Sequence, residues 1–301
     1  MKVLITGATG LVGKAISNML IERGDTVHYL TTNKSKISEK ENYKGFYWNT
    51  KKQELDKACL KGVSVIINLA GASVSKRWTN QHKKAILESR INSLNLLYNV
   101  LYEMDHEIKH IVSASAIGAY PSSLTKLYDE DFKALSNDFL GDVVQKWEAS
   151  ANRFLDLNIN ITKLRIGVVL SENGGALKKM EEPIKKYVGA PLGNGEQWQS
   201  WIHIEDLARM FCYTIDEELS GVFNAVAPNP VKNKELTKAI AKTLNKPLIL
   251  PPVPKFVLKL MLGEMAQIVL GSQLVSADKI QKEGFVFEYT YVENALEEIY
   301  G

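Results

Sequence analysis

The chain has 301 residues, 45% hydrophobic and 24% charged, with a formal net charge of +3 at pH 7. This suits a soluble globular protein with one large domain, or a main domain plus a smaller appendage. The weak charge and scattered lysine pairs (51–52, 83–84, 178–179, 185–186) argue against a nucleic-acid footprint; Cys59 and Cys212, far apart and outside any CxxC spacing, suggest no metal site.

Reduced thiols and a cytoplasmic location are expected, because Lys2 leads directly into a strand and a glycine turn rather than a secretory signal. The first two-thirds alternates near-continuous apolar runs with amphipathic, helix-length stretches. "KVLIT" (2–6), "TVHYL" (26–30), "SVIINLA" (64–70), "HIVSAS" (110–115) and "ITKLRIGVVL" (161–170) read as strands buried on both faces. Residues 11–23, ended by Gly24, and 82–103 read as helices. The alternation predicts an α/β, Rossmann-type doubly wound parallel sheet.

Beyond Leu170 come loop-like stretches, a strand end and helix in "WIHIEDLARMFCYTI", and a further strand, "GVFNAVA" (221–227). The expected division is a nucleotide-binding domain over 1–170 and about 199–227. A smaller substrate or lid domain takes about 171–198 and 228–301. Within the latter, the apolar stretch 256–271 is interrupted by Lys259 and Glu264 and cannot cross a bilayer. Two short amphipathic helices packed on the body are expected there, with no membrane partner.

Gly7, Gly10 and Gly13 form GxxGxxG between the first strand and first helix. Glycines there permit a tight turn and close approach of a pyrophosphate to the helix N-terminus. The turn as a whole, with Thr9, Leu11 and Val12, is the expected phosphate cradle. After the second strand, an Asp or Glu would bind the ribose 2′-hydroxyl of NAD. The chain has Thr31, Thr32, Asn33 and Lys34 instead, which suit a 2′-phosphate, so NADP(H) is favoured over NAD(H).

Together "ITGATGLVG", "NLAG" (68–71), "KRW" (76–78), "SRI" (89–91), "SASAIGAY" (113–120), "KWEA" (146–149), "LRIGVVL" (164–170), "PLGNGEQW" (191–198) and "WIHIEDLA" (201–208) resemble the extended short-chain dehydrogenase/reductase superfamily. Within it they resemble the subgroup called "epimerase family protein", which has its own short C-terminal domain. The resemblance implies that Leu69, Ala70 and Gly71 lie along the adenosine-ribose side of the cofactor, and that Arg90 contacts the cofactor or its neighbours. It places Ser113 on the cofactor side as well, and Gly167 and Val168 beside the nicotinamide.

Hydride-transferring members use a Ser or Thr, a Tyr and a Lys, the lysine lowering the phenol pKa. Ser115 matches the first role. Counting back from Glu148, however, the tyrosine position is Leu140 and the lysine position Val144. Lys146 stands about 200° further round the helix and is better explained as an ion pair with Asp142. Tyr120 is the substitute proton donor nearest in sequence. His203 is expected to organise its loop. Lys76, Arg77, Trp78 and Trp198 are expected to wall a substrate pocket, with Trp201 at least as suited to the core.

Two readings follow. One is an NADP(H)-dependent oxidoreductase or epimerase-like enzyme acting on an unknown small carbonyl or sugar-type substrate, as a monomer or homodimer. The other is an NADP(H)-binding sensor or carrier without turnover.

Overall fold

The computed structural model describes residues 1–301. Seven parallel strands form the central sheet: β1 (Lys2–Thr6), β2 (Thr26–Thr31), β3 (Tyr43–Asn49), β4 (Val65–Asn68), β5 (His110–Ala116), β6 (Asn160–Ile166) and β7 (Gly221–Ala225). Their order is β7-β6-β5-β4-β1-β2-β3, with a short antiparallel strand, Glu39–Lys40, beyond β3. The order reverses between β1 and β4. Right-handed crossovers then place helices on both faces and open a crevice at the C-terminal ends of β1 and β4.

β1, β4 and β5 read as buried runs because each is covered on both sides; Val3, Leu4, Ile5, Ile66 and Ile67 have no exposed surface. Helix α1 (Leu11–Glu22) packs against α5 (Ile204–Asp216), and α2 (Asn80–Tyr102) against α3 (Phe139–Asn152). The strand β3, "YKGFYWN", lacks a continuous apolar run because it lies near the sheet edge and is only partly buried.

The predicted strand over 161–170 is two strands. β6 ends at Ile166, and Val168–Leu170 leaves the sheet to pair in parallel with Trp201–His203. Gly167 makes the break: a Cβ there would lie 2.3 Å from the Ser200 carbonyl oxygen.

A second apolar cluster gathers Leu177, Ile184, Leu236, Ile240 and Leu296 from α4 (Gly175–Lys185), Asn233–Thr243 and Val292–Tyr300, with Trp201 from the strand Trp201–His203. Residues Val275, Ile280, Phe285 and Phe287 of the tail instead join the main core. Asp206, with no exposed surface, fastens that return: it accepts the backbone N–H groups of Glu288 and Tyr289 at 3.0 and 2.9 Å.

Candidate functional site

At the nucleotide end, β1 delivers the chain to α1 through residues 7–13. Gly7 has φ +76°, and a Cβ on Gly13 would sit 2.3 Å from the Gly7 carbonyl oxygen. Only a glycine fits either place. The α1 N-cap, Gly10, offers no side-chain cap, and the first turn has no acid. The N–H groups of Leu11, Val12 and Gly13 therefore point outward without a side-chain partner, an arrangement that favours an anion. Thr9 is exposed beside them. These features fit a dinucleotide pyrophosphate.

At the tip of β2, Thr31 is buried and its hydroxyl accepts the Asn33 N–H at 3.2 Å. The Asn33 side chain caps a short turn through the Ser35 N–H at 2.9 Å. Thr32 and Lys34 are exposed, with the Lys34 ammonium over the Tyr47 ring. No carboxylate stands among them. Beyond β4, the N–H groups of Leu69 and Ala70 both reach the Thr6 hydroxyl at 3.1 Å, and Thr6 in turn donates to Asn68. Asn68 donates to Ser113 at 3.1 Å, so the ends of β1, β4 and β5 are held by one side-chain ladder.

Arg90 of α2 lies against this edge. Its guanidinium donates to the carbonyls of Ala72 and Ile86, and a Cβ on Gly71 would be 2.9 Å from its Cζ. No carboxylate pairs with it, and burial lowers its pKa to about 10. Gly167 and Val168 sit where the chain leaves β6, with Val168 N–H on the Ser200 carbonyl at 2.8 Å.

The expected reacting groups are elsewhere engaged. Ser115, 3% exposed, donates to Glu148 Oε1 at 2.6 Å. Glu148 holds Arg165 through two hydrogen bonds of 2.8 and 3.0 Å. Arg165 donates to the Tyr120 hydroxyl at 3.0 Å, and that hydroxyl donates to Asn224 at 2.8 Å. Burial pushes the Glu148 carboxyl up, but the hydrogen bonds and charge of Arg165 outweigh it and hold the group below its ordinary range. Burial raises the Tyr120 phenol, which is only 1% exposed. The Ser115 hydroxyl, expected to position the reacting oxygen, and the Tyr120 phenol, expected to supply its proton, thus both face inward, into a polar chain between sheet and α3.

The open cleft lies one step further out. A cavity of about 530 Å³ is lined by Gly118, Leu140 and Asp138 on one side and by Lys259, Gln267 and Gln273 of the tail on the other. Leu140, at the tyrosine position, faces it; Val144 is buried. Lys146 pairs with Asp142 at 2.8 Å on the exposed side of α3. His203 caps α5 by accepting the Glu205 N–H.

Of the expected wall, Lys76 and Arg77 are exposed and make no ion pair. Trp78 is not a wall: it is packed edge-on against Phe139, with Nε1 on the Val74 carbonyl at 2.8 Å. Trp198 does not line the cavity but ties Leu124 to the tail, through Nε1 to the Leu124 carbonyl and N–H to Ser272. Trp201 is core. Sequence reasoning missed Asp138, Lys259, Gln267 and Gln273. The interruption of an apolar run by Lys259 was the one available signal.

Residues 3–225 match the model of the NAD dependent epimerase/dehydratase family, and residues 253–299 match a domain of unknown function, DUF1731. The epimerase family protein SAR0825 of Staphylococcus aureus (strain MRSA252) is 39% identical over 297 residues, covering 98% of each chain. The crystal structure of human epimerase family protein SDR39U1 (isoform 2) with NADPH is 29% identical, with a TM-score of 0.87 over 99% of both chains. A nucleoside-diphosphate sugar epimerase from Corynebacterium glutamicum is also 29% identical, with a TM-score of 0.80 over all of this chain and 58% of that one. With an extended short-chain dehydrogenase/reductase sheet, a glycine cradle at its switch point and a small C-terminal domain, the chain belongs to the NAD-dependent epimerase/dehydratase family.

Proposed function

We propose that the protein binds NADP(H) and acts on a small carbonyl or sugar-type substrate in the cleft beside Leu140. The single observation that carries this reading is the uncapped N-terminus of α1, at the end of β1, with the acid-free segment Thr31–Lys34 following the neighbouring strand β2. The human relative crystallised with NADPH supports the same preference. When bound, the nicotinamide supplies or accepts a hydride. The chain's own residues then hold the substrate oxygen and manage its proton. With Leu140 in the tyrosine position and Tyr120 enclosed, that work falls to Lys259, the Gln267 and Gln273 amides, and water.

The enclosed Ser115 and Tyr120 hydroxyls also favour a second reading, a sensor or carrier that binds NADP(H) without turnover. Calorimetric titration with NADPH and NADH, followed by a carbonyl and sugar-nucleotide screen, tests both. NADPH is expected to bind tighter, and equal affinities would remove the preference. Lys259→Met should slow any turnover by about 10²–10⁴-fold; an unchanged rate would rule out this cleft chemistry. NADPH binding with no turnover on any substrate selects the sensor.

A further inference from the structure

The helix Lys255–Leu262 forms part of the cleft rim, through Lys259, and buries only Leu258. Of the amphipathic helix expected here, the side turned from the body is apolar rather than polar. Phe256, Leu260 and Met261 are 72%, 85% and 69% exposed. At about 100° per residue, Phe256 and Leu260 share the centre of the outward arc, flanked by Lys255 and Lys259 on one edge and Met261 on the other.

This helix does not stand alone. Val253 bridges in parallel to Leu192, with Val253 N–H on the Pro191 carbonyl at 2.9 Å and Gly193 N–H on the Val253 carbonyl at 2.8 Å. Lys246 donates to the Tyr187 hydroxyl at 2.8 Å. Segments 183–195 and 244–263 are thus laid side by side. Seven of the sixteen exposed large hydrophobic side chains of the protein fall in these two segments, Val188 and Ile249 among them. The same segments contain five lysines and no Asp or Glu, and only Lys185 has a carboxylate partner. Apolar protrusion and unpaired positive charge coincide on one surface.

We propose that this surface docks on the face of an anionic lipid bilayer, with Lys255–Leu262 lying in the interface. Phe, Leu and Met side chains on a convex helix enter the acyl boundary, while flanking lysines reach anionic headgroups with their stems along the apolar layer. A second copy of the chain fits less well, because a two-fold contact would set lysines against lysines, with the nearest carboxylates, Glu182 and Glu264, outside the two segments and Glu264 already paired with Lys83. No helix is long and apolar enough to cross a membrane, so the surface lies on lipid rather than spanning it. The cleft mouth, which shares Lys259 with this helix, then opens toward the headgroups.

Flotation of the full chain with phosphatidylglycerol–phosphatidylcholine vesicles (about 3:7) and with pure phosphatidylcholine vesicles tests the proposal. Binding is expected only to the anionic vesicles, weakening as salt rises to about 0.5 M. Phe256→Ser/Leu260→Ser and Lys255→Glu/Lys259→Glu should each lower partitioning by about tenfold or more. Unchanged far-ultraviolet circular dichroism and melting temperature would show that both variants remain folded. No binding to anionic vesicles overturns the proposal, as does binding that survives the serine variant. Concentration-dependent dimerisation abolished by the serine variant, without vesicle binding, would assign the surface to a second copy instead.

Discussion

Ser115 and Glu148, 33 residues apart, share a buried hydrogen bond of 2.6 Å that joins the end of β5 to the middle of α3. The same carboxylate grips Arg165 from β6, so one helix is fastened to two neighbouring strands. The hydroxyl that a sequence reader assigns to substrate is committed to the scaffold.

Ser115→Ala should therefore cost about 1–2 kcal/mol of stability, the scale of a lost buried hydrogen bond. Glu148→Ala should cost more, about 3–5 kcal/mol, because it leaves the Arg165 charge buried and unpaired. Urea unfolding measures both. A Glu148→Ala protein as stable as wild type would mean that the network carries no load.

Gly10→Asp separates cofactor binding from folding. Gly10 has φ −82°, and a Cβ there meets only the Gly7 carbonyl oxygen, at 3.2 Å. Aspartate is a favoured N-cap, worth only about 0.3 kcal/mol over glycine, so the fold should be retained with little change in stability. Its carboxylate would occupy the place of the pyrophosphate, and NADPH binding should be lost. Calorimetry and thermal melting on one sample check both halves; normal NADPH affinity would rule out the assigned cradle.

Asp206 is the fastening of the tail. Its carboxylate accepts two backbone N–H groups and Arg209 Nη1 at 2.7 Å, with no exposed surface. Asp206→Ala strands those donors and should destabilise by about 3 kcal/mol. Hydrogen exchange should show the loss of protection first at Glu288 and Tyr289. Protection unchanged at both amides would contradict the assignment.

Stability should fall with pH through the histidine range. His110 Nε2 meets the Thr162 hydroxyl at 2.8 Å, while Nδ1 is buried without a partner. Burial lowers its pKa from 6.5 to about 4. Between those values the unfolded chain binds a proton that the folded chain refuses, so stability is complete above pH 6.5 and drains away toward pH 4. The loss from this group is at most about 3.5 kcal/mol. Burial shifts His28 and His203 in the same direction. His110→Gln should flatten the slope in denaturant titrations across this window; an unaltered slope would show that another group carries it.

The glycine spacing and the buried strand runs were legible in the sequence because their causes are local. Gly7 and Gly13 answer to a turn within seven residues, and β1, β4 and β5 answer to burial on both faces. That Leu140 and Val144 share one side of α3 was equally legible, since 3.6-residue periodicity sets residues four apart on the same face. His203 as a helix cap belongs to the same class, its partner being two residues away.

The direction of a side chain depends on partners distant in sequence, and that only the tertiary structure decided. Ser115 turns inward because Glu148 and Arg165 arrive from α3 and β6, and Tyr120 is closed off because Asn224 arrives from β7. Trp78 became packing because Phe139 lies against its ring, whereas Lys259 and Gln273 gained a cleft when the tail folded back over Leu140. Local patterning determined the sheet and its glycine turn. Long-range packing decided which of the remaining polar groups meet solvent, because a hydroxyl or ammonium takes whichever partner the assembled fold brings within hydrogen-bond reach.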